Sequence, residues 1–358
     1  MHVALNAWDL AERPSAVDAW RTLEILEMTG PAVAGWRWTL IHRAANLEKL
    51  PEGVNSVGAG IHTGAWGRLL FEQWGLPRAA ALVGADVLMT VAGNPPMSSR
   101  VPLVIEDLQE LPSGKGVAPR LRGATLAAAS LGASVFTWSD LPDRDRGMGR
   151  ASRLSPWVAD PFHPQAESQD AELRTRLGVG DGYVLALGIG KKDIALLLSA
   201  WSWVAPSVGE LHPLVLAGMD ASVARAAARS AESIGLGDSV RFGNDVRYGD
   251  LPAVLRGGAA LLVPGKPGVG QLLRWAAACG LPVAAAATPE VESILGQAAY
   301  VTPAGDARAL GAACLGLLVD EDLAESVRQL GVGRAAAYHS GRGVEELAGL
   351  LRRIASPS

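Results

Sequence analysis

Short apolar runs alternate along the chain with segments in which apolar residues recur every three or four positions. Apolar runs of four to eight residues are typical of buried strands, and the longer period is typical of helices that pack on a sheet. The alternation therefore favours parallel, doubly wound sheets. In the C-terminal half it predicts six strands, over Tyr183 to Gly188, Pro213 to Gly218, Ser239 to Phe242, Ala259 to Val263, Leu281 to Ala287 and Ala299 to Val301.

The N-terminal half alternates in the same way and predicts a second sheet of the same kind. A long helix is expected over Ser15 to Met28, and two short helices over Trp66 to Trp74 and Pro77 to Leu82. The proline-rich segment Pro156 to Pro164 is interpreted as the link between domains. The predicted strands are His2 to Ala7, Trp36 to Ile41, Val54 to Ile61, Ala85 to Val91, Val101 to Leu108, Ala133 to Trp138 and Arg153 to Val158.

The expected organisation is two Rossmann-like α/β domains that face each other across a cleft. The first covers residues 1–160, the second covers residues 161–340, and residues 341–358 form a final helix. A chain of 358 residues is long enough for two such domains.

One loop could bind an anion. Pro264 to Gly270 connects the strand at Ala259 to Val263 with a helix over Gln271 to Cys279. Backbone N–H groups of a glycine loop and a helix N-terminus attract phosphate. The candidate groups are the Lys266 ammonium and the amides of Gly268, Val269 and Gly270. A turn that only connects the two elements remains the alternative.

A second glycine loop, with Gly188, Gly190, Lys191 and Lys192, follows another strand and opens another helix. It is expected at the same carboxyl edge of the sheet, where open α/β sheets bind ligands. Positive charge at a helix N-terminus opposes the helix dipole, so two lysines there suit a diphosphate ligand. A solvated helix start is the alternative. The glycine spacing matches neither the dinucleotide fingerprint nor the phosphate loop of nucleotide triphosphatases.

The composition narrows the class of protein. The net charge is −4 and the isoelectric point is near 5.9, which disfavours nucleic acid and a polybasic membrane arm as partners. Cys279 and Cys314 lack metal-ligand spacing and are expected to be buried thiols. No metal site is expected. The sequence shows no secretion signal and no apolar run of spanning length, so a cytoplasmic protein is expected.

From about Tyr183 to Leu318 the chain resembles the donor-binding domain of the GT-B retaining glycosyltransferases of family 4, the group 1 glycosyltransferases. The resemblance is carried by YVLALGIGKKDIALLLSAW, by PLVLAG, and by GVGQLLRWAAACGLPVAAAATPEVESILGQAAYVTPAGDARAL. It implies a GT-B fold whose last helix crosses back to the N-terminal domain. It also implies that a nucleotide-diphosphate sugar is the substrate, with no cofactor and no metal. The acceptor, whether a glycan, a lipid or a small molecule, is not indicated.

The chain departs from the family pattern at four places. The family carries two glutamates eight positions apart, one near the donor sugar and one on the nucleotide ribose, and these positions are Pro267 and Trp275 here. A histidine that usually precedes Asp107 is replaced by Glu106. The family's arginine–lysine pair appears as Lys191 and Lys192. The usual N-terminal glycine-rich loop is missing.

These residues suggest roles that follow from the resemblance. Lys191 and Lys192 would stabilise charge on the leaving phosphate, and Glu106 is a further catalytic candidate. Gln271 and Arg274 could replace part of the lost donor recognition, whereas Trp275 could fill the ribose space and block the nucleotide. Glu290 is explained by the dipole of its own helix, with donor binding as a weaker interpretation.

Two functions of different class therefore remain. One is a retaining glycosyltransferase. The other is a catalytically degenerate relative that binds a sugar or a partner, such as a paralogous glycosyltransferase, or contacts a membrane peripherally. An epimerase that acts on nucleotide sugars is a smaller alternative.

Overall fold

The computed structural model describes residues 1–13, 16–43, 47, 50, 52–60, 64–91, 94–106, 124–125, 127–129, 131–141, 152–176, 178–243, 246–265 and 269–356. The chain divides into two compact units. Unit 1 comprises Met1–Pro14, Asp18–Trp157 and Gly341–Ser358, and unit 2 comprises Ser15–Val17 and Val158–Ser340. The domain boundaries expected from the sequence stay predictions.

Unit 1 is built on a seven-stranded parallel sheet in the order β3-β2-β1-β4-β5-β6-β7. The central strand β1 is buried along its whole length and pairs on both sides, with Val3 opposite Trp38 of β2 and Val87 of β4. The strands are β1 (His2–Asn6), β2 (Arg37–His42), β3 (Val54–Gly58), β4 (Val87–Thr90), β5 (Leu103–Glu106), β6 (Ser134–Trp138) and β7 (Ser152–Leu154).

One continuous helical segment of unit 1 corrects a sequence prediction. The two separate helices expected over Trp66 to Trp74 and Pro77 to Leu82 are joined through a π-helical turn, Phe71–Gly75. A proline inside a helix removes a backbone donor, and the wide turn just before Pro77 keeps the chain helical at that point. The described helices of this unit are Trp8–Glu12, Val17–Ala32, Gly64–Leu70, Leu76–Leu82 and Arg342–Ala355.

Unit 2 contains a six-stranded parallel sheet in the order β10-β9-β8-β11-β12-β13. From β8 the chain adds β9 and then β10 on one side of the sheet, and it then adds β11, β12 and β13 on the other side. The topological switch point therefore lies between β8 and β11. The strands are β8 (Tyr183–Leu187), β9 (Leu214–Ala217), β10 (Val240–Gly243), β11 (Gly258–Val263), β12 (Val283–Ala286) and β13 (Tyr300–Thr302).

Helices cover this sheet and enclose its core. Trp201, Leu197, Leu310 and Cys314 are almost fully buried in one apolar cluster. Burial raises the pKa of the Cys314 thiol to about 12, and Cys279 is also a free, buried thiol, as expected. The described helices are Asp170–Arg176, Ile194–Val208, Ala221–Ser233, Leu251–Gly257, Gly270–Ala278, Pro289–Ile294, Ala307–Val319 and Glu321–Ala335.

The two predicted parallel sheets are therefore confirmed. The helix Asp170–Arg176 was missed by the sequence analysis, since its seven residues are mostly charged and carry little apolar periodicity. Within the described ranges, no helix combines the length and the apolar character needed to cross a membrane.

Candidate functional site

The switch point of unit 2 brings the two glycine loops together. Leu185 of β8 lies opposite Leu261 of β11, and both strands end at the same edge of the sheet. The loop that starts at Gly188 and the loop that starts at Pro264 follow these two strands directly. The carboxyl edge of unit 2 is thus the candidate site that the sequence predicts.

The first loop presents two exposed lysines. Lys191 and Lys192 lie in the turn before helix Ile194–Val208, with both side chains exposed. The Gly190 N–H donates to the Asp193 carboxylate at 3.1 Å, and the Gly188 N–H donates to the Ala217 carbonyl at 2.9 Å. These two amides, proposed from the sequence as phosphate donors, therefore have partners within the protein. The cationic side chains are the groups that this loop offers to an anion.

The second loop leads into helix Gly270–Ala278, where a glutamate occupies the N-terminus. The buried Gly270 N–H donates to Glu290 Oε1 at 2.8 Å. A Cβ atom at position 270 would lie 2.6 Å from that oxygen, so only glycine leaves room for the carboxylate. Glu290 belongs to the first turn of helix Pro289–Ile294. The hydroxyl oxygen of Thr288 caps the N-terminus of this helix. The sequence explained Glu290 by its own helix, whereas the structure places it also at the N-terminus of a neighbouring helix.

Two of the predicted donor residues, Lys266 and Gly268, lie outside the described part of the chain, and so does Pro267, which occupies the position of the family's first glutamate. Val269, which precedes the helix, is buried at 7% exposure. The contribution of the loop side chains to ligand binding therefore stays a prediction.

Gln271 and Arg274 lie on the first turns of the same helix and are both buried. The Arg274 guanidinium donates from Nη1 to Gln271 Oε1 at 3.0 Å. Arg274 is only 1% exposed, so its guanidinium belongs to the interior of unit 2. The burial of both residues supports a structural role for this pair inside unit 2, and it does not support direct contact of Arg274 with a donor.

Trp275 is fully buried and packs against aromatic side chains. Its indole stacks on Phe162 with ring centroids 5.4 Å apart and planes 10° from parallel, and Tyr248 lies 6.3 Å away. The residue has no exposed surface that could face a ribose. Neither Phe162 nor Tyr248 was predicted from the sequence, although the aromatic residue Phe162 in the proline-rich link was a visible signal.

Glu106 lies at the carboxyl end of β5 in unit 1 and is held in the interior. It forms an ion pair with Arg21 on helix Val17–Ala32, and the Trp138 indole Nε1–H donates to the same oxygen at 2.7 Å. The Glu106 side chain has no exposed surface. These contacts give Glu106 a structural role, and its proposed catalytic role stays a prediction.

Breaking this ion pair should destabilise unit 1 strongly. We expect Arg21→Met to lower the free energy of unfolding by about 3–5 kcal/mol, because it leaves a buried carboxylate without its counter-charge. Urea unfolding followed by circular dichroism measures the loss. Arg342→Met is the matched control, since Arg342 pairs with Glu346 while 74% exposed and should cost less than about 1 kcal/mol. Equal losses in the two variants would contradict a buried pair.

Unit 1 contains a further polar cluster that the sequence did not reveal. Arg68 donates to Asp9 at 2.8 Å and to Glu72 at 2.8 Å, and Asn94 Nδ2 donates to Glu72 at 2.9 Å. Burial raises the pKa of Glu72 even though Arg68 opposes the shift. Asp9 lies shortly after β1 and Asn94 shortly after β4, so the cluster marks the carboxyl edge of this sheet. Among the described residues, no group of three histidine, cysteine or acidic side chains is placed to hold a metal ion.

The comparison with protein families identifies unit 2. The family model described as glycosyl transferases group 1 matches residues 182–320, a range that contains both loops and the switch point. Residues 182–320 are therefore similar to the group 1 glycosyltransferases. The resemblance inferred from the sequence is confirmed for this part of the chain.

Solved structures extend the similarity over the whole chain. Sucrose-phosphate synthase from Thermosynechococcus elongatus is 18% identical with a TM-score of 0.74, and the match covers 99% of each chain. HepE from Anabaena, solved in complex with UDP-glucose, is 14% identical with a TM-score of 0.72 and is matched over 99% of this chain and 100% of that chain. UDP-GlcNAc 2-epimerase from Methanocaldococcus jannaschii is 10% identical with a TM-score of 0.58, over 99% of this chain and 100% of that one.

These similarities establish the fold, which is GT-B, as predicted. Identities of this size do not decide the reaction, since a synthase and an epimerase share the architecture. No curated protein sequence matches the chain.

Proposed function

We propose that the protein is a glycosyltransferase that takes its sugar from a nucleotide-diphosphate sugar bound by unit 2. The observation that carries the proposal is the group 1 glycosyltransferase match over residues 182–320, centred on the switch point of the sheet. Ligands of open α/β sheets bind at the carboxyl ends of the strands beside such a point. HepE, whose fold is similar, was solved with UDP-glucose bound.

The charge at this edge suits a diphosphate. Lys191 and Lys192 are exposed at the start of helix Ile194–Val208, where cations oppose the helix dipole and gain from an anionic ligand. As the sugar leaves the donor, negative charge grows on the diphosphate, and two preplaced ammonium groups stabilise that charge. No metal ion is needed for this step in the proposal.

The stereochemical course that we propose is retention, as the family resemblance implies. The departing diphosphate assists in removing the proton of the acceptor hydroxyl, so that the reaction needs no nucleophilic carboxylate of the protein. The family's first glutamate, whose position is Pro267 here, is not a nucleophile in this course, so its loss removes a contact near the donor sugar and not a reacting group. The acceptor class is left open by the proposal.

A second candidate function is a catalytically degenerate protein that serves as a binding or partner subunit. Specific observations favour it. Trp275 occupies the position that contacts the ribose in the family, and its indole is stacked on Phe162. The Gly270 and Gly190 amides are bound by the carboxylates of Glu290 and Asp193. A nucleotide would therefore have to bind without the two amides and the Trp275 position, or displace the groups that occupy them.

Calorimetric titration with UDP, GDP and ADP, followed by their sugar conjugates, distinguishes the two candidates. If the protein is a glycosyltransferase, we expect one nucleotide to bind with a dissociation constant in the micromolar range. We expect the double variant Lys191→Ala, Lys192→Ala to bind this nucleotide more weakly. Arg229→Ala, which removes an exposed cation from helix Ala221–Ser233, serves as the control and should bind normally. Failure of every nucleotide to bind would favour the degenerate subunit.

A further inference from the structure

The turn that follows strand β12 contacts both described ends of the Pro264–Gly270 loop. At the start of the loop, Gly265 has a φ angle of +84°, and a Cβ atom there would lie 3.0 Å from Ala286 Cβ. At the end of the loop, the Gly270 N–H donates to Glu290 Oε1 at 2.8 Å. Both glycines therefore allow a close approach to residues 286–290 that a larger side chain would prevent.

This turn is itself fixed by three features. The Ala287 N–H donates to the carbonyl of Thr302 on β13 at 2.7 Å, which ties the turn to the sheet. The Val291 N–H donates to Thr288 Oγ1 at 3.1 Å. The ring of Pro289 restricts the backbone of the first helical residue. The carboxylate that follows this proline is thus held by a rigid turn, so it reaches the loop with little further loss of conformational freedom.

The hydrogen bond between Glu290 and Gly270 is buried on both sides. Glu290 is 7% exposed, and Gly270 is also buried. A hydrogen bond to a charged group is stronger than a neutral one, and a buried amide that loses its partner is costly. The carboxylate also lies at the N-terminus of helix Gly270–Ala278, where the helix dipole favours negative charge. Loss of this one carboxylate should therefore loosen the first turn of the helix and the end of the loop.

The end of this loop lies at the carboxyl edge of the sheet, where open α/β sheets bind their ligands. We propose that Glu290 is a positioning residue for the nucleotide sugar. From a neighbouring helix it fixes the Gly270 end of the loop in the conformation to which the donor binds, and it does not touch the donor itself. The inference rests on the function proposed for unit 2. It differs from direct donor contact by Glu290, and from a carboxylate that occupies the place of a phosphate.

Titration of Glu290 variants with nucleotide tests this role. For whichever of UDP, GDP and ADP binds the unchanged protein, Glu290→Ala should raise the dissociation constant about tenfold, because the Gly270 amide loses its partner. Glu290→Gln should stay within about threefold of the unchanged protein, because its amide oxygen accepts the same hydrogen bond. Glu292→Ala is the matched control, since this glutamate belongs to the same helical turn but is exposed, and binding should not change.

Kinetics distinguish positioning from a part in the chemistry. In sugar-transfer assays of Glu290→Ala, the KM for the donor should rise together with the dissociation constant, while kcat changes by less than about threefold. A large fall in kcat at an unchanged KM would make Glu290 a catalytic residue and overturn the proposal. Tighter nucleotide binding by both Glu290→Ala and Glu290→Gln would also overturn it, since the carboxylate would then compete with phosphate.

A double-mutant cycle tests whether Glu290 acts through Gly270. Gly270→Ala places a Cβ atom 2.6 Å from Glu290 Oε1, so it should weaken nucleotide binding as Glu290→Ala does. Without the carboxylate, the nearest remaining contact of the new methyl group is Ile294 Cδ1 at 3.1 Å, the end of a flexible side chain. The double variant should therefore bind no more weakly than either single variant. Additive losses would show that the two residues act independently and would contradict the proposal.

Hydrogen exchange separates this inference from the proposed function. In the protein without nucleotide, the Gly270 amide should exchange at least about tenfold faster in Glu290→Ala than in Glu290→Gln or the unchanged protein. Circular dichroism should show that each variant is folded. Equal exchange rates would overturn the role of Glu290 even where a nucleotide binds. Absence of nucleotide binding to the unchanged protein would instead overturn the function proposed for unit 2, and the exchange rates would then decide alone whether Glu290 fixes the loop end.

Discussion

Replacement of both Lys191 and Lys192 by alanine is expected to lower the turnover rate of sugar transfer by about 100- to 1,000-fold. The substrate for this measurement is the nucleotide sugar that calorimetry identifies as the donor. Both side chains are exposed at the carboxyl edge of unit 2, where charge on the leaving diphosphate would develop. Removing a preplaced positive partner of that charge costs on the order of 3 kcal/mol in the transition state. Initial rates of sugar transfer, measured with excess donor, give the loss directly.

The controls separate a chemical role from a structural one. Arg229→Ala removes a comparable exposed cation from another helix of unit 2 and should leave turnover unchanged. The thermal stability of the double lysine variant should also be unchanged, because neither lysine is buried. Turnover that persists at the normal level in the double variant would remove both lysines from the proposed mechanism.

Among the described glycines of unit 1, Gly343 is expected to be the position where an added methyl group destabilises the protein most, and Gly343→Ala should cost about 3 kcal/mol or more. A Cβ at this position would lie 1.9 Å from the Ser155 carbonyl oxygen and 2.9 Å from a ring carbon of Trp157. Backbone cannot move away as a flexible side chain can, so the final helix would have to shift from its place in unit 1. The hydrogen bond from the Ser155 N–H to Glu346, at 2.6 Å, would be strained by the same shift.

Gly349→Ala provides the matched control in the same helix, Arg342–Ala355. Its Cβ would meet nothing closer than the end of the Arg353 side chain at 3.7 Å. Alanine is the better helix former, so this variant should be about 0.5–1 kcal/mol more stable. Urea or thermal unfolding of both variants measures the contrast. Similar effects at the two positions would show that the close approach at Gly343 does not hold the helix in place.

Much of the fold could be predicted from local pattern. The apolar runs located every strand of unit 2 to within a few residues, because buried parallel strands must be apolar on both faces. The same pattern placed the two glycine loops after β8 and β11 and thereby at one edge of the sheet. The family resemblance, which rests on residues within this unit, followed from the same segment.

The contacts made by individual side chains at the candidate site could not be predicted in this way. Glu290 and Gly270 are 20 residues apart, and Arg21 and Glu106 are 85 apart, so no local pattern pairs them. The sequence indicated that Trp275 could fill the ribose space. It did not indicate the stacking partner Phe162, which lies in the link more than a hundred positions earlier. Such pairs form only in the folded chain. A buried polar group without a hydrogen bond is costly, so each one pairs with a group on whichever element packs beside it.

The class of fold, the positions of the glycine loops and the lysines in one of these loops can be predicted from the sequence, because they depend on hydrophobic periodicity and on residues close in the chain. Only the tertiary structure shows which backbone amides are already bound by carboxylates, that Trp275 is enclosed, and that Trp66 and Trp74 face solvent. These features depend on packing between distant segments, and packing sets both the partners and the exposure of a side chain.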